Sequence, residues 1–301
     1  MFGSTVLDVA IGLIFVFFMV SLVCSEAANR ITQWLNWRAD FLEKKIREWL
    51  MNGDQTLVNK LYATPWIKAL TPRGEKPVNI PTKTFALAVF DAFVPNAAGI
   101  TTVDQLRAAI AGLQDGTPMK NELLAWLTMV GTDMTAFRVN IENWFNAAEA
   151  QMTQVYRQNM WKFALGIGAI VSLVLNVDAV AVGNSLWRDS ALRQAVVTAA
   201  SQYATKAANA TDPLVSQQNA QKAVEELNKL NLPIGWNIQT APFSVLPNDW
   251  AQTAATKPQT LPQTDPLAYL LKLIGWGITA LAGAQGAPFW FDLLKKVTQR
   301  N

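Results

Sequence analysis

V6-L-D-V-A-I-G-L-I-F-V-F-F-M-V-S-L-V-C-S25 carries a single charge, Asp8, and otherwise reads as an unbroken apolar run. A helix rises 1.5 Å per residue, so about 20 mostly apolar residues cross the roughly 30 Å hydrocarbon layer of a bilayer. Two further stretches, Trp161–Val182 and Tyr269–Leu294, have the same character. The spacing predicts an all-α membrane protein with three transmembrane helices. No Lys or Arg precedes the first apolar core and no small-x-small site follows it, so the segment reads as a retained span rather than a secretory leader. Cys24 is the one cysteine in 301 residues, which permits no internal disulfide and reads as a packed thiol.

Basic residues set the expected orientation. Arg30, Arg38, Lys44, Lys45 and Arg47 crowd the far side of the first span while none precedes it, which predicts a periplasmic N-terminus. Arg157 and Lys162 mark the inner end of the second span, and Lys295, Lys296 and Arg300 that of the third, so the C-terminus is expected in the cytoplasm. The predicted division is a first span over 1–26, a cytoplasmic helical domain over 27–160, a second span over 161–182, a periplasmic helical loop with a Pro-rich linker over 183–266, and a kinked third span with a short tail over 267–301.

Within the cytoplasmic part, apolar residues at Ile31, Trp34, Leu35, Phe41, Leu42, Ile46, Trp49 and Leu50 recur every three or four positions and leave Glu43, Lys44, Arg47 and Glu48 on the opposite face. A matching stripe, Met134, Phe137, Ile141, Trp144, Phe145, Ala148, Met152, Val155 and Tyr156, leads into the second span. These two helices are expected to pack as an antiparallel stalk, with Phe41 and its neighbours on Trp144, Phe145 and Phe137. Helices starting at Thr82, Thr101 and Lys120 form a cap over it. Two more patterns, Leu186–Ala208 and Pro213–Asn231, make up the periplasmic loop, and the Pro/Thr/Gln-rich Ala241–Pro266 reads as a surface linker.

The segments I80-P-T-K-T-F-A-L-A-V-F-D-A-F93, I141-E-N-W-F145, L175-N-V-D-A-V180, L186-W-R-D-S-A-L-R193 and G283-A-Q-G-A-P-F-W-F-D-L-L294 together resemble a widespread group of bacterial inner-membrane proteins. That resemblance implies a bacterial plasma membrane and a shared three-span layout. The group has no assigned activity, so it implies no catalytic residues.

The chemistry is narrowed by what is missing. The chain has no histidine, which removes imidazole as ligand or base, and a single cysteine removes thiolate clusters. No phosphate-binding glycine loop occurs, and Gly166, Gly168, Gly275 and Gly277 sit inside apolar helices where they suit close helix contact. No catalytic residue, metal site or cofactor is expected. A net charge of +3 without a basic stripe argues against a nucleic-acid partner.

The expected points of interest are polar or backbone-breaking residues at membrane depth. Asp8, Asn176, Asp178 and Asp292 lie where an isolated charge or amide needs a partner. Asp8 and Asp178 are expected at similar heights with Arg188 between them, and Asp292 beside Lys295 and Lys296. Gly283, Gly286 and Pro288 are expected to kink the third span, and the small residues Gly275, Thr279, Ala280, Gly283 and Ala284 to admit a neighbouring helix. The sequence reads best as a non-enzymatic membrane scaffold or accessory subunit with the bilayer and either a protein partner or a homo-oligomer as its company. The alternative is a subunit of an oligomeric channel or transporter.

Overall fold

The computed structural model describes residues 4–34, 36–71, 75–93, 103–113, 115–208, 218–236, 259 and 265–298. Among them every regular element is a helix, and the one β feature is an isolated bridge between Trp236 and Gln259. The chain divides into two compact units, Met1–Ile31 with Met160–Asn301, and Thr32–Asn159.

The first unit is organised around α1 (Thr5–Trp34). Ile11, Phe15, Val16, Phe18, Met19 and Val20 are all buried, and 61% of the helix's most apolar stretch is enclosed by protein. Around it stand the end of α8 (Met134–Val174), then α9 (Ala179–Arg188), α10 (Ser190–Ala208), α11 (Gln218–Lys229), α12 (Pro266–Gln285) and α13 (Ala287–Thr298). Both α1 and α12 are long and apolar enough to cross a membrane; α8 and α9 supply a third crossing if the bent pair is one span. The outward face of α12 is apolar throughout, with Leu270, Ile274, Ile278 and Leu281 exposed at helical spacing. Such a face suits lipid, because soluble proteins rarely leave a continuous apolar strip in water.

Three expectations about this unit need correcting. The second span is not a straight helix over 161–182: α8 stops at Val174, and α9 departs at 56°. The third span does not run on as one helix with Pro288 at a mid-helix kink. It ends at Gln285, Gly286 takes φ 82°, and Pro288 is the second residue of a new helix, where its missing N–H breaks no bond. α13 then reaches back along α1. Gly283 stands against Cys24, yet Trp290 and Phe291 lie 5.0 Å and 5.7 Å, ring to ring, from Phe17 and Phe18.

The third correction concerns Leu186–Ala208, expected as one helix in a periplasmic loop. It is split at Asp189, which accepts from the Leu192 amide at 3.0 Å and opens α10. α10 then runs beside the middle of α1, in the same direction. A Cβ at Gly12 would stand 3.4 Å from Val196, and Tyr203 meets Phe15 and Phe18 at 6.2 Å and 5.3 Å. The physical cause is a stripe of Leu192, Val196, Ala200 and Ala204, each buried, which finds its apolar partner on α1.

The second unit has its own core. α1 gives way at Asn36, whose φ of 47° is left-handed, so the first helix does not continue into a stalk. α2 (Trp37–Lys45) follows, then a π-helical turn Ile46–Leu50, α3 (Gln55–Ala63), α4 (Pro65–Lys68), α5 (Thr82–Phe93), α6 (Val103–Ala111), α7 (Pro118–Val130) and the first part of α8. Asp54 caps α3 by accepting from the Thr56 and Leu57 amides at 2.8 Å and 3.1 Å. Lys76 ties the loop before α5 to α2 through Asp40 and Glu43, and these carboxylates hold its ammonium above the usual lysine range.

The rings Phe137, Trp144 and Phe145 of α8 do not meet Phe41 and its neighbours as expected for the stalk, although α2 does reach α8 farther along, where Arg38 and Phe41 both meet Tyr156. Phe145 stacks on Phe85 at 3.7 Å, Phe137 meets Phe90 at 5.7 Å and Trp144 meets Trp126 at 5.7 Å, so the partners come from α5 and α7. Phe41 contributes one contact of this kind, to Tyr156 at 5.3 Å, and is only half-buried. The side chain of Trp34 lies outside the described residues.

Phe145 is fully buried, so Phe145→Ala is expected to destabilise this unit by about 3–5 kcal/mol, and Phe41→Ala by clearly less. Denaturant titration of the purified protein followed by tryptophan fluorescence measures both. Equal losses would show that Phe41 anchors the stripe after all.

Candidate functional site

The distinctive site lies where α8 breaks. The Leu175 amide makes the last regular bond, to Val171, and Asn176 then turns left-handed with φ 47°, a conformation Asn tolerates better than most residues. The Asn176 amide bonds back to Leu173 at 3.2 Å and the Val177 amide to Ser172 at 2.9 Å, which closes the helix end, while the Val177 side chain is fully buried. Asp178 immediately starts α9 by accepting from the Val180 and Ala181 amides at 2.9 Å and 3.1 Å. N176-V-D178 is thus a stop signal and a start signal in three residues.

Such a break strands backbone carbonyls, and two of them find donors in one distant segment. The Trp236 indole donates to Leu173 O at 2.8 Å, and the Gly235 amide donates to Leu175 O at 2.9 Å. Asn176 Nδ2 donates in return to Gly235 O at 2.9 Å, and its Oδ1 accepts from the Trp276 indole at 3.1 Å. Gly235 O also accepts from the Gln259 amide at 3.0 Å, and the Gln259 carboxamide donates to Pro233 O.

Lys272 completes the knot from α12. Its ammonium donates to Gln259 Oε1 at 2.7 Å and lies 5.2 Å and 5.8 Å from the Trp276 and Trp236 ring centres. A cation over two indoles that are themselves 5.8 Å apart is well held electrostatically. Asn176, Asp178 and Lys272 are all buried.

Glycine makes this approach possible. A Cβ at Gly275 would stand 1.7 Å from Asp178 Oδ1, one at Gly168 2.5 Å from Ala280 O, and one at Gly283 2.8 Å from Cys24 Sγ. α12 therefore lies against α8, α9 and α1 through positions that carry no side chain. Thr279 is buried and returns its hydroxyl to Gly275 O at 2.9 Å.

The expected residues fall into different places. Asn176 and Asp178 are in the knot. Gly283 and Gly286 flank the end of α12, and Pro288 opens α13. Asp8 is buried with Oδ1 unpartnered. Arg188 does not bridge Asp8 and Asp178: it closes α9 ten residues beyond the break, is exposed, and pairs with neither, because Asp178 already serves as a cap. The arginine that is engaged there is Arg193, which donates to Leu186 O and Trp187 O at 2.9 Å and 3.1 Å. Asp292 is exposed and forms no ion pair with Lys295 or Lys296; Lys295 lies instead over the Phe291 ring at 5.6 Å.

Lys272, Trp236 and Gln259 were not among the expected residues, and Trp276, which reads from sequence as a membrane-interface anchor, instead donates to Asn176. Lys272 had a visible signal, a lone cation inside an apolar stretch. Trp236 and Gln259 had none, because the segment that covers the break is 59 residues from it along the chain. Among the described residues no group of carboxylates or thiolates is arranged to hold a metal.

No known protein family, curated protein or solved structure matches this chain. Its class rests on its own geometry: an all-helical protein with two membrane-length helices, a third crossing available from a bent pair, and a buried polar knot at the bend.

Gly275→Ala is expected to lower the melting temperature of the purified protein more than Gly277→Ala, since a Cβ at 277 meets nothing while one at 275 displaces the Asp178 cap. Asp178→Asn should be nearly neutral, because Asn caps as well as Asp, whereas Asp178→Leu removes the cap at a cost of about 0.5–2 kcal/mol. Equal melting for all four proteins would sever the knot from stability.

Proposed function

We propose that the protein is a non-enzymatic membrane scaffold, in which the first unit is the anchor and Thr32–Asn159 is a head that presents a binding surface to a protein partner. The observation that carries this reading is that the polar groups at the helix break are taken up within the chain. Leu173 O, Leu175 O, both ends of the Asn176 amide, the Asp178 carboxylate and the Lys272 ammonium all have partners within the chain or act as caps. These groups are therefore not free to coordinate a passing solute. The separate core of the head agrees with a module that works in its own right.

The second reading, a channel or transporter subunit, is favoured by the broken helix itself. Interrupted helices at membrane depth form the substrate sites of many transporters through their free ends. Here the ends are capped, which places that reading second.

The same proposal puts the anchor in a bacterial inner membrane with three crossings, α1, the α8–α9 pair and α12, and with the N-terminus outside. The head then faces the cytoplasm, a side that the Arg30–Arg47 cluster supports. Membership of the inner-membrane group that the sequence resembles belongs to this proposal as well.

Reconstituted in liposomes, the protein should add no ion flux to that of empty vesicles. A flux that disappears with Asp178→Asn while the protein stays folded would favour the channel. A cysteine at the exposed Asn52, with Cys24 replaced by Ser, should resist a membrane-impermeant maleimide in intact cells and react after permeabilisation. Labelling in intact cells would reverse the orientation.

A further inference from the structure

We infer that Asp8 and Arg193 form a buried charge pair that latches the first turns of α1 to the corner between α9 and α10. The pair belongs to the internal packing of the first unit and does not depend on the membrane reading. Two polar atoms there are enclosed without a hydrogen-bond partner, Asp8 Oδ1 and Arg193 Nε. Asp8 is 5% exposed, so its carboxylate is enclosed rather than turned to solvent. A buried carboxylate is costly without a counter-charge, and a buried N–H is costly without an acceptor. One group lacks a donor, the other lacks an acceptor, and their charges are opposite.

Packing brings the two to one level. A Cβ at Gly183 of α9 would lie 3.9 Å from Leu13, and one at Gly12 would lie 2.9 Å from Leu186 and 3.4 Å from Val196. The chain therefore leaves α1 after Leu186 and is back against it by Val196. α10 runs in the direction of α1, because its later residue Tyr203 meets Phe15 and Phe18. Asp8 precedes Gly12 by four residues, as Leu192 precedes Val196, so at equal rise Asp8 is level with Leu192, and Arg193 follows directly. The same four-residue spacing puts Asp8 on the face of α1 that Gly12 turns to α9 and α10.

The other charged groups of the corner are engaged or turned away. Asp189 accepts from the Leu192 amide at 3.0 Å, and Arg188 is exposed. Arg193 Nη1 donates to Leu186 O and Trp187 O at 2.9 Å and 3.1 Å, which folds the guanidinium back over the corner without neutralising it. The pair thus acts by charge across the protein interior, where attraction is weakly screened, rather than through a hydrogen bond. Apolar packing cannot do the same work at this place. Gly12 presents no side chain to Leu186 and Val196, and so smooth a contact resists sliding along the helix axis poorly. A charge pair one turn away fixes the axial position of α1, the helix from which the chain enters the second unit.

A double-mutant cycle on the full chain in mild detergent tests the latch. Asp8→Asn and Arg193→Gln should each shift the unfolding equilibrium about tenfold toward the unfolded state, and the double variant should be no less stable than the worse single one. Either loss already strands the other group, so the second adds nothing. Arg188→Gln, at the same corner but exposed, should act independently of Asp8→Asn. Additive losses for Asp8→Asn and Arg193→Gln, or coupling of Asp8 to Arg188 instead, would overturn the inference. If a neutral variant is not recovered folded, Asp8→Glu and Arg193→Lys decide the matter. Both keep the charge and should be recovered. Failure of these two as well would mean that shape and not charge holds the corner, which ends the latch.

Discussion

A helix that stops in a buried place must hand its freed carbonyls to other donors, since no water is there to take them. Everything distinctive about the anchor unit follows from how that demand is met at Asn176. The Leu232–Trp236 stretch, which a hydropathy reading leaves outside the membrane, is drawn against Leu173–Asn176 to supply an indole and an amide. Trp276 and Lys272 then have to face the break, which fixes the rotation of α12, and that rotation is tolerated because position 275 is glycine. The outward face of α12 is thereby left apolar. One left-handed residue thus orients two helices and a loop.

The same unit shows why apolarity and lipid contact are different properties. Of the two membrane-length helices α1 carries the more apolar stretch, yet most of that stretch is enclosed, whereas only 33% of that of α12 is. α1 is a core element that happens to be of membrane length; α12 is the element suited to meet lipid. α10, which is not apolar enough to be a span, is brought against α1 by the narrow stripe of Leu192, Val196, Ala200 and Ala204.

Much of the fold was legible. The helical periods, the three apolar stretches and the cap helices α5, α6 and α7 follow from spacing of three and four, whereas N176-V-D178, which carries the residues of a helix stop and a helix cap, was read as part of a continuous span. What could not be read was which face meets which. The α8 stripe Phe137, Trp144 and Phe145 was recognised as core, but periodicity gives a face and not a partner, so α5 and α7 were missed in favour of the first helix. Pairing Arg188 with Asp178 relied on charge and proximity in sequence. It failed because the carboxylate had a closer use, the two amides of its own helix. Pro288 was read as a kink because a proline in an apolar run usually is one, but the preceding Gly286 had already ended the helix.

Lys272 also bears on the order in which the anchor assembles. A lysine in an isolated membrane helix is costly to insert, up to about 2.5–3.5 kcal/mol at the helix centre, and Lys272 is the seventh residue of α12. Its receptor consists of Trp236, Gln259 and the α8–α9 break, all of them earlier in the chain than α12. By the time the ribosome delivers α12, the groups that make its lysine tolerable have already been synthesised. The direction of synthesis and the direction of stabilisation therefore coincide, and the last long helix is the one whose settling depends most on the others.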